Sequence, residues 1–140
     1  MVDKVQAFCR ERGQPVPKEP GQVARCVLES LALQYRRTLA ELESLCGRTF
    51  RRLHLVGGGS RNALLNQFTA DATGRQVWAG PAEATALGNV LAQGMALGLI
   101  PGLEAARSLV KNSFEIRSFQ PGAAPAWDRA FENFLQLKAA

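Results

Sequence analysis

The sequence predicts an α/β domain in which helices pack on a short parallel or mixed sheet. Two apolar runs, Leu53–Val56 and Gln76–Ala79, are typical of buried strands. Apolar residues between them recur at the spacing of a helix, and a strand–helix–strand unit favours parallel pairing of its strands. A periodic segment at 22–46 adds a helix long enough to cross the whole domain.

Two helices are predicted before the first strand, at 1–12 and 22–46. Three prolines between residues 13 and 21 require an extended connection on the surface. Gly47 follows the last apolar residue of the long helix and is expected to end it. The apolar stripe of this helix consists of Val23, Val27, Leu28, Leu31, Tyr35, Leu39, Leu42 and Leu45.

Three consecutive glycines, Gly57, Gly58 and Gly59, join the first strand to the next helix, which Gly74 is expected to end. Because glycine has no side chain, a planar or charged ligand can lie directly against this backbone. The following helix also presents free N–H groups at its N-terminus, which favour anionic or polar ligand atoms. The same glycines suit an ordinary strand-to-helix connection with close packing, and this pattern alone leaves both interpretations open.

Two familiar nucleotide-binding motifs are absent from the sequence. A dinucleotide fingerprint would need a glycine where Asn62 stands. A P-loop would need Gly-Lys followed by Ser or Thr, and the sequence contains no such triplet. A nucleotide bound at the glycines would therefore be held by another geometry.

A third helix is predicted over about 82–97, after a turn at Gly80-Pro81. The stretch Ala84–Ile100 is the most apolar of the chain, but polar residues and glycines interrupt it and it is short for a membrane span. We therefore expect a buried helix and no membrane partner. Its small residues at every fourth position, which form a flat face, are Ala84, Gly88, Ala92 and Ala96.

The last segment, 101–140, is predicted to form a short helix over Leu103–Lys111, an edge strand around 114–119 and a final helix. Pro125 is well placed in the first turn of that final helix. The chain is therefore expected to form one domain of three consecutive segments, 1–46, 51–100 and 101–140. The aromatic stripe by which the final helix is expected to dock consists of Trp127, Ala130, Phe131, Phe134 and Leu135.

The composition is that of an ordinary globular protein with a mildly basic surface. The net charge is +5 over 140 residues, and 46% of the residues are hydrophobic. The densest basic group, Arg48, Arg51 and Arg52, contains one aromatic residue, Phe50, and matches no nucleic-acid module, so no nucleic-acid partner is expected. A basic nucleic-acid binder is the weakest alternative, and it would show salt-sensitive binding to any duplex.

The cysteines and the single histidine predict no metal site. Cys9, Cys26 and Cys46 form no metal-ligand pair, and His54 lies on the predicted core strand. The N-terminal residues lack the apolar run of a secretion signal, so a cytoplasmic location with reduced, core-packed thiols is expected. A Cys9–Cys26 disulfide across the proline-rich turn is the minority alternative, tested by counting free thiols under non-reducing denaturation.

Two sequence segments resemble the FGGY carbohydrate kinases, which belong to the actin-like, ribonuclease H-like ATPase superfamily. VGGGSRN at 56–62, continued by NQF at 66–68 and AD at 70–71, is similar to the family's adenosine-binding segment. GPAEATALGN at 80–89 resembles its second C-terminal signature. Both segments in this order and spacing are far more specific than the glycines alone.

Other segments, FCRE at 8–11 and ARCVLESLAL at 24–33, resemble the family's L-rhamnulose kinases rather than its xylulose or glycerol kinases. The resemblance covers residues 1 to about 119. It implies that the chain is the C-terminal portion of the second domain of a larger, two-domain sugar kinase. The complete enzyme would use ATP with Mg²⁺ to convert L-rhamnulose to its 1-phosphate, and another sugar of the family is the alternative substrate.

The resemblance also implies which residues contact the nucleotide. Gly57, Gly58 and Gly59 match the family's glycine turn, and Gly58 is the first choice for direct contact. Asn62 matches a position whose amide faces the adenine edge, because an amide offers both a donor and an acceptor. Glu83, Thr85 and Gly88 are expected to be scaffold at the start of the next, packed helix, and a role in the cleft is the weaker alternative.

The family's catalytic base is an aspartate upstream of the matched region. The aspartates of this chain, Asp3, Asp71 and Asp128, lie outside that motif, so the chain alone is predicted to be inactive. A kinase portion of this kind should expose an apolar face and self-associate. A non-catalytic nucleotide-binding or assembly module is the alternative, and it predicts a well-covered surface and cooperative unfolding.

Overall fold

A computed structural model of the protein describes residues 1–122 and 125–139, and it has the predicted α/β architecture. The described residues form six α-helices, one short 3₁₀ helix and three strands. In chain order these are α1 Val2–Glu11, α2 Pro20–Cys46, β1 Arg52–Leu55, the 3₁₀ helix Gly58–Arg61, α3 Ala63–Thr73, β2 Gln76–Ala79, α4 Ala84–Ala96, α5 Leu103–Ser113, β3 Arg117–Phe119 and α6 Pro125–Ala139.

The three strands form a mixed sheet in the order β1-β2-β3. β1 and β2 are parallel, with Leu53 opposite Val77, which confirms the pairing expected of the strand–helix–strand unit. β3 is antiparallel to β2, with Phe119 opposite Val77. Since β2 is the central strand, Val77 and Ala79 are buried in it, at 0% and 3% exposure.

Helices α2 and α3 end where the sequence predicts. Gly47 and Gly74 both adopt the left-handed conformation, with φ of 62° and 64°, that lets glycine close a helix. α2 begins two residues earlier than predicted, at Pro20, because a proline in the first turn leaves no intrahelical hydrogen bond unmade. The side chain of Gln22 accepts hydrogen bonds from the backbone N–H groups of Lys18 and Glu19 and caps this end.

The main core lies where α2, α3 and α6 meet. Buried Ala32 of α2 packs against Phe68 and Ala72 of α3, with Leu28 and Trp127 at the edge of the cluster. The rings of Phe68 and Trp127 are 5.4 Å apart, in the range of a favourable aromatic pair. The predicted docking of the final helix through its aromatic residues is therefore confirmed at Trp127.

The prediction of a buried third helix is wrong for the described residues. No residue of α4 is buried, and Val90 is 65% exposed. Beyond the helix, Leu97 and Leu99 are 74% and 77% exposed. Helix α4 is apolar, as its sequence shows, but no described element covers it. Among the described residues, no helix is both long and apolar enough to cross a membrane.

The first strand is also less buried than predicted. Val56 lies beyond β1 and is 54% exposed, while Leu53 and Leu55 are half-buried and His54 is exposed. The reason is topological, because β1 is the edge strand of the sheet that the described residues form and pairs there with β2 alone. An apolar run does not reveal whether a strand lies at the edge or in the centre of its sheet.

Candidate functional site

Two loops follow the parallel strands and lie at the same edge of the sheet. The glycine loop, 56–62, follows β1, and the proline loop, 80–83, follows β2. Ligands of open α/β sheets bind beyond the carboxyl ends of the strands, and β1 and β2 both end at these loops. The fold therefore brings together the two segments that the sequence singled out.

Backbone hydrogen bonds tie the two loops to each other. The N–H of Gly57 donates to the carbonyl of Pro81 at 3.1 Å, and the N–H of Gly80 donates to the carbonyl of Leu55 at 2.8 Å. An ion pair between Arg61 and Glu83 at 3.1 Å spans the same gap, but both side chains are 72% exposed. Because an exposed pair contributes little stability, the backbone bonds set the geometry.

Gly57 is required by the conformation of the loop. Its φ of 78° and ψ of −165° lie in a region that is essentially restricted to glycine. A Cβ at this position would lie 3.9 Å from the carbonyl oxygen of Ala82, which is an ordinary contact. The requirement for glycine at 57 is therefore one of backbone strain rather than of space.

Gly58 and Gly59 are different, because nothing in the described chain requires glycine there. Both lie in the 3₁₀ helix without a positive φ, and a Cβ on either would meet no atom within 4 Å. The first N–H to bond inside the turn is that of Ser60, which donates to the carbonyl of Gly57 at 3.1 Å. The N–H groups of Gly58 and Gly59 precede it and have no acceptor within the turn.

Asn62 caps α3. Its Oδ1 accepts a hydrogen bond from the N–H of Leu65 at 3.0 Å, as an asparagine at the N-cap of a helix commonly does. The sequence resemblance implies an amide that offers both a donor and an acceptor to a ligand. The cap uses one of the two acceptor positions of Oδ1, and the Nδ2 donor takes no part in it.

Two further residues of the site, Ser60 and Asn66, lie within the segments that resemble the family, but the sequence predicts no role for them. Both are buried, and they connect the glycine loop to the interior of α3. The Oγ–H of Ser60 donates to the carbonyl of Gly57 at 2.7 Å. The apolar pattern gives no signal for Asn66, because position 66 lies about 100° around the helix from Leu65 and outside the apolar stripe.

The three matched positions at the start of α4 do not behave as packed scaffold. Glu83 is the N-cap residue of α4 and its carboxylate pairs with Arg61. Thr85 and Gly88 are exposed, and a Cβ on Gly88 would meet nothing within 4 Å. Packing within the described residues therefore does not account for Thr85 or Gly88.

Asp71 has a structural role. Its Oδ1 accepts hydrogen bonds from Gln67 Nε2 and from the N–H of Gly122, each at 2.8 Å, and so ties the segment after β3 to α3. Asp128 pairs with Arg36 at 2.8 Å and links α6 to α2. No group of three or more His, Cys, Asp or Glu within the described ranges could hold a metal ion.

The cysteines are free thiols and lie away from the two loops. Cys9 is buried and Cys26 is half-buried beside it, at the side of an apolar groove of about 580 Å³ between α1, α2 and α6. Burial, and next the neighbouring Cys9 thiol, raise the pKa of Cys26 above its ordinary value. Cys46 is exposed, so the expectation that all three thiols pack in the core is wrong for this one.

Comparison with known proteins places both loops within one family domain. The sequence matches the FGGY family of carbohydrate kinases, C-terminal domain, over residues 4–97. The rhamnulokinase of Bacteroides thetaiotaomicron is 47% identical over 134 residues, which cover 96% of this chain and 28% of that protein. The rhamnulokinase of Oceanobacillus iheyensis is 40% identical over 119 residues, which cover 85% and 25%. The chain thus spans 25–28% of the length of these curated relatives.

A solved structure shares the fold. The crystal structure of xylulose kinase from Rhodospirillum rubrum superposes with a TM-score of 0.66 at 25% sequence identity. The match covers 91% of this chain and 26% of that one. The fold predicted from the resemblance is thereby confirmed, and so is the similarity to rhamnulose kinases within the family.

Proposed function

The chain belongs to the FGGY family of carbohydrate kinases, and from this membership we propose that it is the ATP-binding C-terminal portion of an L-rhamnulose kinase. In the complete enzyme, the γ-phosphoryl group of ATP would pass to a hydroxyl of L-rhamnulose and form L-rhamnulose 1-phosphate. Residues 1–140 would all belong to the second of two domains. Because the proposed enzyme uses ATP as a substrate, we expect it to act in the cytoplasm.

The observation that carries the nucleotide assignment is the open surface over Gly58 and Gly59. A side chain at either position would disturb no contact of the described chain, yet both are glycine. A flat ligand lying on the backbone explains this, since a Cβ would stand where the ligand must lie. The N–H groups of these two residues, which have no acceptor in the turn, would then donate to polar atoms of the nucleotide.

Asn62 would contact the edge of the adenine base. With its Oδ1 held by the N–H of Leu65, the Nδ2 group can donate to a ring nitrogen of the base. Gly57 would act differently, because its backbone conformation shapes the turn and its N–H is bonded to Pro81. Among the predicted contacts, Gly58, Gly59 and Asn62 are therefore direct, and Gly57 is the residue that allows the turn to form.

The chemistry of phosphoryl transfer would come from residues outside this chain. Asp71 and Asp128 are engaged in structural bonds, and Asp3 lies in the first turn of α1. The carboxylate of the two loops, Glu83, is paired with Arg61. The donors of the two loops thus do not fit a magnesium site, and we assign both the base and the metal ligands of the complete enzyme to its other parts.

Calorimetric titration of the chain with Mg-ADP tests the nucleotide assignment. Gly58→Val places a branched side chain on the proposed binding surface, so we expect the affinity to fall at least about ten-fold, equivalent to about 1.4 kcal/mol. Gly21→Val is the matched control, because Gly21 is also exposed, without positive φ and free of neighbours within 4 Å. Equal affinities of Gly58→Val and the parent chain would refute the assignment.

The inactivity of the chain is tested separately. Purified chain incubated with Mg-ATP should release no more ADP when L-rhamnulose is added than without it. Sugar-dependent release of ADP would show that a base lies within these residues and would overturn that part of the proposal.

A further inference from the structure

Asn66 is the inner end of a hydrogen-bond relay that passes through Ser60 to Gly57 of the glycine loop. It is fully buried in α3, at 0% exposure, and its Nδ2 donates to the carbonyl of Ser60 at 2.8 Å. Ser60 is 6% exposed, and both its N–H and its Oγ–H donate to the carbonyl of Gly57, at 3.1 and 2.7 Å. The relay therefore runs from the interior of the helix to the residue that shapes the turn.

The stability of the fold alone does not account for an asparagine at this position. The Oδ1 of Asn66 is buried without a hydrogen-bond partner among the described residues, which is unfavourable. An apolar side chain of similar size would avoid that cost. The orientation of the amide is set by the relay, because the reverse orientation would turn Oδ1 toward the carbonyl oxygen of Ser60.

Thr69 provides the contrast on the same helix. It is as deeply buried, at 1% exposure, and its Oγ1–H donates to the carbonyl of Leu65 at 2.7 Å, one turn earlier in α3. Its hydroxyl is thus satisfied within the helix and does not reach the glycine loop. Of the three buried polar residues in the described part of the chain, Ser60 belongs to the glycine loop, Asn66 bonds to it, and Thr69 does neither.

We propose that Asn66 is a positioning residue for the nucleotide site. By holding Ser60, and through it the carbonyl of Gly57, it keeps the N–H groups of Gly58 and Gly59 in the binding orientation before the ligand arrives. A glycine-rich turn without this support samples more conformations, and the apparent affinity falls with the fraction that can bind. The inference rests on the proposed nucleotide function of the glycine loop.

Amide hydrogen exchange without nucleotide tests the positioning role by itself. Asn66→Leu removes the bond to Ser60 and keeps the volume of the side chain. We expect the amides of Ser60 and Asn62 to exchange about ten-fold faster than in the parent chain, while the interior amides of α3 stay protected. The control, Thr69→Val, removes a buried hydroxyl of the same helix and should leave the loop amides at parent rates.

A second variant keeps the test decisive if Asn66→Leu fails to fold. Ser60→Ala removes only the hydroxyl bond to Gly57, and it should also speed exchange in the loop. Where Asn66→Leu folds, the double variant is also informative. Adding Ser60→Ala to Asn66→Leu should increase the exchange rates of the loop amides by a smaller factor than Ser60→Ala does alone, because both changes break the same relay. Parent exchange rates in the loop of Ser60→Ala, or of Asn66→Leu, would overturn the proposal.

Titration with Mg-ADP separates this inference from the function on which it rests. If the parent chain binds Mg-ADP, Asn66→Leu should weaken binding about ten-fold, in step with the loss of loop protection. Binding of equal strength in the two chains would overturn the positioning role. Failure of the parent chain itself to bind would count against the nucleotide assignment, whereas the exchange result judges the relay independently.

Discussion

Helices α3 and α4 each follow one of the two parallel strands, yet among the described residues only α3 is covered by other elements. Six of the eleven residues of α3 are buried, whereas none of the thirteen residues of α4 is. Composition does not explain the difference, because α4 has no charged residue and is rich in Ala and Leu. What differs is the neighbourhood, since α2 and α6 pack on α3 and no described element covers α4.

The comparison shows what an apolar pattern can and cannot predict. It identifies a face that avoids water, but it does not identify the surface that covers this face. For α3 the covering surface is encoded in the same 140 residues. For α4 we expect it to come from outside the described residues, which fits a chain that spans 28% of the rhamnulokinase of Bacteroides thetaiotaomicron.

The largest difference between the two helices should appear in the free energy of unfolding. Phe68→Ala in α3 removes a ring that is 8% exposed and packed on Trp127, so we expect a loss of about 3–5 kcal/mol. Val90→Ala in α4 should cost less than about 0.5 kcal/mol, because Val90 is 65% exposed. Urea unfolding of both variants measures this, and similar losses would mean that α4 is covered in solution.

A smaller difference in the free energy of unfolding is expected between a polar residue of α3, Asp71, and one at the start of α4, Glu83. Asp71→Ala removes the acceptor that ties Gly122 to α3, and should cost about 1–2 kcal/mol. Glu83→Ala removes one partner of an ion pair in which both side chains are 72% exposed, and should cost less than about 0.5 kcal/mol. The same urea experiment applies. If Glu83→Ala were the more damaging change, the proline loop would depend on that ion pair.

The weakest expected effect is self-association through α4. At high concentration the chain should form dimers, because Val90 and Leu97 together expose apolar surface that water disfavours. Analytical ultracentrifugation should show a concentration-dependent mass that Val90→Lys with Leu97→Lys reduces. Leu45→Lys is the control, since Leu45 is 84% exposed at the end of α2. A double lysine variant that dimerises like the parent would place the contact elsewhere.

Local signals were sufficient to predict much of the fold. The glycines that close α2 and α3 and the bounds of β2 follow from turn chemistry and short apolar runs, which act within a few residues. The exposure of α4 and of Val56 could not be predicted in this way, because the burial of a residue depends on which distant elements pack against it. An edge strand and a central strand can have the same apolar pattern.

The candidate site also contains residues that the sequence predicts and residues whose role depends on the fold. Gly57, Gly58, Gly59 and Asn62 were found by pattern and family resemblance, and they remain predictions as nucleotide contacts. The relay through Ser60 and Asn66 was not found, because a hydrogen bond across six residues depends on how the loop folds back on its helix. A buried asparagine is recognised as unusual only once its burial is known.

An amide NMR titration with Mg-ADP tests most directly whether the glycine loop forms the proposed nucleotide half-site within this chain. We expect shifts confined to residues 57–62, lost in Gly58→Val and kept in Gly21→Val. A well-dispersed spectrum in which no resonance of 57–62 moves at saturating Mg-ADP would contradict the claim.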